Sequence, residues 1–468
     1  MAQRFRDQGR PAGRRAVVIG ASMAGLLAAR FLSDHFDEVT LIERDRLADD
    51  GATRKGNPQA RHAHALLAKG LQILADLFPG ILDELEAAGA QRVDIGTDFY
   101  WYHHHAWRVR YPSDVSVSFQ SRALLEATVR RRVLALPRLR LRDGCDASGL
   151  LAAPGGRGVA GVRIVAAGAA PEELRADLVV DASGRGSRTA AWLQALGYEA
   201  PPESVVKVNV GYASRVYRRP RLGAPPWKAL FVLGTPPGDR RFGVIFPIEG
   251  DRWIVTLGGL LKEYPPDDEA GFLAYAQRLE CDEVHRAIRG AEPLGDILTY
   301  RFPAHLRRHY ERMARTPDGL VVLGDSLCSF NPIYGQGMTT SALAAATLER
   351  CLRDRPRALG PRALEGLPAA FYRRVARVID VPWSLAVGED LRFPEVEGSR
   401  GGAQPWLRWY VDELHALGAD NAAVLDRFYR VQHMLSPRSS LFHPRVALAV
   451  LRRQIARLPL QPPLTSTR

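Results

Sequence analysis

Ala16-Val17-Val18-Ile19-Gly20-Ala21-Ser22-Met23-Ala24-Gly25-Leu26-Leu27-Ala28-Ala29 reads as an apolar strand, a turn of small residues and the start of a helix, in that order. A dinucleotide site needs a glycine for the tight turn and a small second residue that lets pyrophosphate approach the backbone. It also needs a third small residue where helix meets sheet. Gly20, Ser22 and Gly25 occupy those places, with Met23 and Ala24 inside the turn and helical spacing resuming at Leu26. Ser22 departs from the usual glycine, so its hydroxyl must turn away from the phosphates or bond to them. A second strand over residues 38–42 ends at Glu43 and Arg44. There the Glu43 carboxylate can accept hydrogen bonds from an adenosine ribose. A small-residue turn alone is also an ordinary structural turn; the strand, the helix and Glu43 in register point to nucleotide binding.

The chain around this unit has 468 residues, 46% hydrophobic and 25% charged, a globular composition long enough for two or three domains. The net charge of +13 comes from scattered residues, and only 5 of the 64 basic side chains are lysines, so no nucleic-acid partner is expected. Cys145, Cys281, Cys328 and Cys351 form no C-x-x-C pair, which suggests neither zinc nor a disulfide framework and fits a cytoplasmic location. No apolar run reaches the roughly 18 residues of a membrane span, and the basic opening residues lack the apolar core of a signal peptide.

Helical spacing is expected over residues 64–90, 122–136 and 338–352, and a hairpin across 154–164. Alternating strands at 206–217, 229–233, 242–246 and 253–257, separated by Pro/Gly turns, predict an antiparallel insertion in an α/β chain. Beyond 352 the chain reads as mostly helical, broken by a Gly/Pro-rich loop near 394–405. The expected fold is α/β: a Rossmann-like FAD-binding domain, an inserted antiparallel β-sheet substrate domain and a C-terminal helical region. The FAD-binding parts fall at 1–95, 119–200 and 301–355, the substrate-domain segments at 96–118 and 201–300, and the helical region at 356–468.

Two later motifs indicate which nucleotide. Asp181-Ala182-Ser183-Gly184-Arg185-Gly186-Ser187-Arg188 follows one buried strand. Gly324-Asp325-Ser326-Leu327-Cys328-Ser329-Phe330-Asn331-Pro332-Ile333-Tyr334-Gly335-Gln336-Gly337-Met338 follows another. From Arg15 to about Leu352 the chain resembles the group A flavoprotein monooxygenases, the p-hydroxybenzoate hydroxylase-like family, with their Gly-Asp motif and Pro-x-x-Gly-x-Gly loop. The resemblance implies FAD, held by these two motifs together with the first. Asp325, at a strand end, can accept a ribityl hydroxyl proton. Gly335 and Gly337 let backbone N–H groups at a helix N-terminus approach the flavin edge where negative charge accumulates. Arg122, in Ser121-Arg122-Ala123, resembles the family's FAD-contacting arginine, although it is equally well an ordinary helix-start residue. Arg54 and Lys55 are further candidate contacts. The family often has alanine, histidine and asparagine where this chain has Ser326, Cys328 and Thr339; an inert buried thiol is expected at 328.

His103-His104-His105 lacks a partner ligand at a familiar spacing, so no metal is expected, and with Tyr100, Trp101, Tyr102 and Trp107 it reads as a wall of the substrate domain. His62 and His64 read as structural histidines with the flavin within possible reach. No catalytic dyad is recognisable. The resemblance implies a monooxygenase: NADPH or NADH, bound transiently, reduces the flavin, O2 adds to give a C4a-hydroperoxide, and one oxygen passes to a small-molecule apolar substrate. The stretch Arg54-Lys55-Gly56-Asn57-Pro58-Gln59-Ala60-Arg61-His62-Ala63-His64, with Asn331-Pro332-Ile333-Tyr334-Gly335, is similar to the flavin epoxidases of polyether and polyketide pathways, which implies alkene epoxidation in secondary metabolism. Aromatic hydroxylation and polyene or prenyl reduction are the alternatives; a flavin halogenase would be expected to carry a W-x-W-x-I-P helix, which is absent.

Overall fold

The computed structural model describes residues 12–47, 56–220, 222–356, 362–399 and 405–457. Arg54 and Lys55 lie outside them. The opening unit is as read: strand Gly13–Ile19, helix Met23–Leu32 and strand Phe36–Glu43. They belong to a five-stranded parallel sheet in the order Leu320–Val322, Leu178–Asp181, Gly13–Ile19, Phe36–Glu43, Leu139–Asp143. Its central strands are buried on both faces, as apolar runs such as Leu-Val-Val demand. Helices Met23–Leu32, Arg122–Leu134 and Gly337–Arg353 share its apolar core. A three-stranded antiparallel sheet, Cys145–Ala152, Val159–Ala166 and Glu172–Arg175, contains the expected hairpin.

The second large sheet has eight strands, ordered Cys328–Ser329, Leu298–Arg308, Glu203–Arg218, Arg252–Gly259, Arg241–Ile248, Ala229–Leu233, Phe99–His103, Ala106–Trp107. All neighbours are antiparallel except Ala229–Leu233 against Phe99–His103, which run parallel. One face packs on helices Glu269–Gln277 and Glu283–Ile288. The other carries Trp101, Phe231, Phe242, Val244 and Phe246 towards the loops of the parallel sheet and the C-terminal helices.

Three features differ from the sequence reading. Residues 64–67 are not helical; helix Ala68–Leu77 begins later, after a 3-10 turn at Pro58–Arg61. Helices Glu269–Gln277 and Glu283–Ile288 were not anticipated, nor was strand Leu298–Arg308, whose Arg-rich sequence holds Pro303. That strand accommodates the proline at a bulge: the register against Glu203–Arg218 shifts between Lys207 and Val210, opposite Ala304 and Phe302, with Asn209 at φ 43°. The C-terminal region forms helices Leu367–Asp390, Pro405–Leu417, Ala422–Gln432 and Pro444–Arg457.

Candidate active site

The first turn shows why its residues are small. Gly20 has φ 99°, and a Cβ there would meet the Ala182 carbonyl oxygen at 2.5 Å; at Gly25 it would come within 1.7 Å of the Gly20 oxygen. The hydroxyl of Ser22 turns sideways. It donates to Glu126 Oε2 at 3.0 Å and accepts from Arg122 Nη2 at 3.0 Å, so no side chain caps the helix N-terminus behind it. Arg122 also reaches Glu126 through Nε at 3.1 Å, and Asn57 Nδ2 reaches the same carboxylate at 3.3 Å. Glu43 accepts from the backbone N–H of Ala21 at 2.9 Å and of Asp45 at 3.1 Å. These bonds aim its carboxylate at the turn.

Above this turn lies a cavity of about 590 Å³. Gly20, Ser22, Met23, Ala24, Glu43, Arg44, Arg122, Asp325, Pro332, Gly335, Gln336, Gly337 and Met338 all line it, gathered from three distant stretches of sequence. Gly25 and Gly324 lie beneath it as packing positions: at Gly324, φ 65°, a Cβ would sit 2.7 Å from that of Ala24. Asp181, expected at the cofactor, lies apart from the cavity lining. Its carboxylate is consumed by its own loop, accepting from Ser183 N at 2.8 Å, Ser187 Oγ at 2.5 Å and Thr189 Oγ1 at 2.6 Å, and it does not line the cavity.

The cavity walls suit a dinucleotide with a flavin head. Among the described residues the Asp325 carboxylate has no hydrogen-bond donor, and burial raises its pKa against the opposing pull of Arg122 and Arg185. Gln336 Oε1 is likewise buried with no partner among the described residues. Helix Gly337–Arg353 starts with no side-chain cap, after Gly335 at φ 62°. Two open acceptors and an uncapped helix N-terminus are what a sugar chain and a hydrogen-bonding ring edge would satisfy. Arg185 was not singled out from the sequence, although it lies inside a quoted motif. It lines the cavity, bonds Ser329 Oγ and places its guanidinium 4.8 Å over the Phe302 ring.

A second, apolar cavity of about 100 Å³ adjoins the first, sharing Ala63, Ala65, Tyr212, Pro332 and Gly335 with it. Phe99, Phe119, Phe231, Phe242 and Phe246 line it, with Thr256, Tyr334, Gln432 and His433 as its polar edge. The aromatic segment expected to wall the substrate site contributes indirectly: Trp101 stacks behind Phe231 and Tyr429, at 5.8 and 5.9 Å, without reaching the cavity. From Thr256 a chain of polar groups leads inward. Its Oγ1 lies 2.6 Å from Ser214 Oγ, which lies 2.8 Å from His62 Nδ1. Burial first, and Arg61 second, lower the His62 pKa to about 4. His64, on the larger cavity, is lowered to about 3, mainly by desolvation, and bonds through Nδ1 to the His62 carbonyl at 2.9 Å.

The loop shared by the cavities is clamped from below. Asp390, fully buried at the end of helix Leu367–Asp390, accepts from Tyr334 Oη at 2.7 Å, Asn331 Nδ2 at 3.0 Å and His305 Nε2 at 2.6 Å. His305 Nδ1 accepts the Asn331 backbone N–H at 3.2 Å, which leaves Nε2 as the protonated nitrogen facing Asp390. Nothing in the sequence near Asp390 marks it.

His103 and His104 meet His415, with donor atoms within 4.8 Å of one another. Arg108, buried among them, donates to His415 Nδ1 at 2.8 Å and to His103 Nδ1 at 3.4 Å. A guanidinium that can only donate fixes the protons of His103 and His415 on their far nitrogens, the reverse of the arrangement around a metal-bound imidazole, while no bond from Arg108 to His104 is among them.

No protein-family model matches the chain. It is 34% identical over 410 residues to Protein Rv3254 of Mycobacterium tuberculosis, covering 84% of this chain and 83% of that protein. Its structure is similar to that of the flavin-dependent brominase Bmp2, with a TM-score of 0.65 and 14% identity over 94% of this chain and 99% of that one. It is also similar to 2-methyl-3-hydroxypyridine-5-carboxylic acid oxygenase, with a TM-score of 0.58 and 17% identity over 91% and 98%. At these identities the structural likeness speaks for the fold, which serves more than one reaction. The chain belongs to one family with Protein Rv3254, built on the fold of the group A FAD-dependent monooxygenases.

Proposed function

We propose that the chain binds FAD in the larger cavity and transfers one oxygen atom of O2 to a bulky apolar substrate whose reacting double bond enters the smaller one, by epoxidising an alkene of polyketide type. The observation that carries this reading is the loop Pro332–Gly335, which forms a wall of both cavities and so would bring the redox-active ring of the cofactor against the substrate. Glu43 would hold the adenosine ribose, Asp325 the ribityl chain, and the N-terminus at Gly337 and Met338 the flavin edge. Bound FAD supplies electron transfer and O2 activation, with NADPH or NADH as reductant. The balance is alkene, O2, reduced nicotinamide and a proton giving epoxide, oxidised nicotinamide and water. The phenylalanine cluster contributes desolvation and shape, and epoxidation asks for no base because the alkene's π electrons are the nucleophile.

Aromatic hydroxylation is favoured by one observation, the Thr256–Ser214–His62 chain, which could carry a phenolic proton away from the apolar cavity. Incubation with FAD, reduced nicotinamide, labelled O2 and a panel of polyenes and phenols separates the two readings. Polyene products carrying one labelled oxygen are expected. Labelled phenols would move the assignment to hydroxylation, and reduced alkenes without label would overturn oxygen transfer altogether.

A further inference from the structure

Among the described residues, seven of the eleven large hydrophobic side chains left exposed lie within residues 405–457. Two groups account for them. Trp406, Leu407 and Trp409, 53%, 38% and 44% exposed, occupy the first turn of helix Pro405–Leu417, and Phe442 meets the Trp406 ring at 6.2 Å. Leu448, Leu451 and Ile455, 45%, 54% and 58% exposed, follow one another at helical spacing along Pro444–Arg457. That helix buries its opposite side, Val446 and Val450, against Tyr410 and Leu414. It is therefore apolar on two faces, one satisfied by packing and one turned to solvent.

The charge on this helix is of one sign. Pro444–Arg457 contains Arg445, Arg452, Arg453 and Arg457 and no acidic residue. Arg453 and Arg457 lie towards the protein and pair with Glu413, at 3.4 and 2.7 Å. Arg445 and Arg452 flank the exposed Leu448–Ile455 stripe, and Arg408 stands between the two exposed tryptophans. Exposed aliphatic residues, exposed tryptophans and arginines with no ion pair among the described residues, on adjacent helices, are the make-up of a surface that lies in the headgroup region of an anionic bilayer.

We propose that this face of the C-terminal helices docks on an anionic lipid surface, immersing Leu448, Leu451, Ile455 and the Trp406–Trp409 turn while Arg445, Arg452 and Arg408 meet lipid phosphates. The attachment is peripheral, in keeping with the finding that no described helix is long and apolar enough to cross a membrane.

The test is co-sedimentation of the full chain with vesicles of phosphatidylcholine alone and of phosphatidylcholine with phosphatidylglycerol, at low and at physiological salt. Binding to the anionic vesicles that weakens with salt is expected. Leu451→Glu/Ile455→Glu, a change at exposed positions, should weaken it by about tenfold or more. Arg445→Gln/Arg452→Gln should weaken it mainly at low salt. Arg218→Gln/Arg286→Gln, an equal loss of charge at exposed sites on the antiparallel sheet and its covering helix, should leave it almost unchanged and so controls for the overall positive charge. The proposal is overturned if the chain stays in the supernatant with anionic vesicles, or if the glutamate variant binds as the parent does. It is equally overturned if light scattering shows a dimer that the glutamate variant dissociates while vesicle binding is absent, because the face would then join two copies of the chain.

Discussion

Asp325 carries the sharpest expectation for a single side chain. It lies on the cavity wall with no donor among the described residues, its pKa raised by burial and held back by Arg122 and Arg185. A carboxylate kept in that state is ready to accept from a ligand hydroxyl, and a charged hydrogen bond of this kind contributes about 1–3 kcal/mol. Asp325→Ala should therefore weaken FAD binding by about 5- to 150-fold, measured by quenching of flavin fluorescence on titration. Unchanged affinity in a folded variant would remove Asp325 from the cofactor site. Ser22 shows how a departure from a motif is absorbed. Its hydroxyl is spent on Glu126 and Arg122, so the phosphate side of the turn keeps the open backbone that glycine would have given.

At the scale of elements, the decisive unit is the loop from Asn331 to Gly335, tied to helix Leu367–Asp390 through Asp390. Asp390→Ala would leave three buried donors unanswered, each costing about 1–3 kcal/mol, whereas Asp390→Asn keeps one acceptor oxygen in place. The alanine variant should unfold at a clearly lower temperature, and the visible circular dichroism of added FAD should change in it more than in the asparagine variant. If both variants bind FAD with the parent spectrum, the clamp does not position the loop. The loop is legible in the sequence, but its clamp by Asp390 is not. Gly20, Glu43, Asp325 and Gly337 were readable because the chemistry of each is set by neighbours a few residues away, in turns and strand ends that leave a pattern. Asp390 meets Tyr334 and His305 across 56 and 85 residues, and only tertiary packing selects it from the other acidic residues of the C-terminal region. The same holds for strand Leu298–Arg308, where the bulge that tolerates Pro303 is on the partner strand.

Taken as a whole, the molecule is held together at its site by histidines that are buried neutral. His433 accepts the Ala68 N–H at 3.2 Å through Nδ1 and so ties the C-terminal helices to the parallel-sheet half. His62, bonded to Ser214, ties the loop between the sheets to the antiparallel one. Desolvation lowers both, each to about 4 from the ordinary 6.5. Below pH 6.5 the unfolded chain binds protons that the folded chain refuses. The stability these residues support is thus fully present above about pH 6.5 and falls as the pH drops towards 4, by about 1.4 kcal/mol per unit for each group. Denaturant unfolding followed between pH 7 and 5 should show this loss. His433→Asn places an amide that does not titrate at the same junction and should make the decline shallower by about one group's share. A variant whose stability falls with the parent's slope would show that His433 is not among the groups whose protonation opens the molecule.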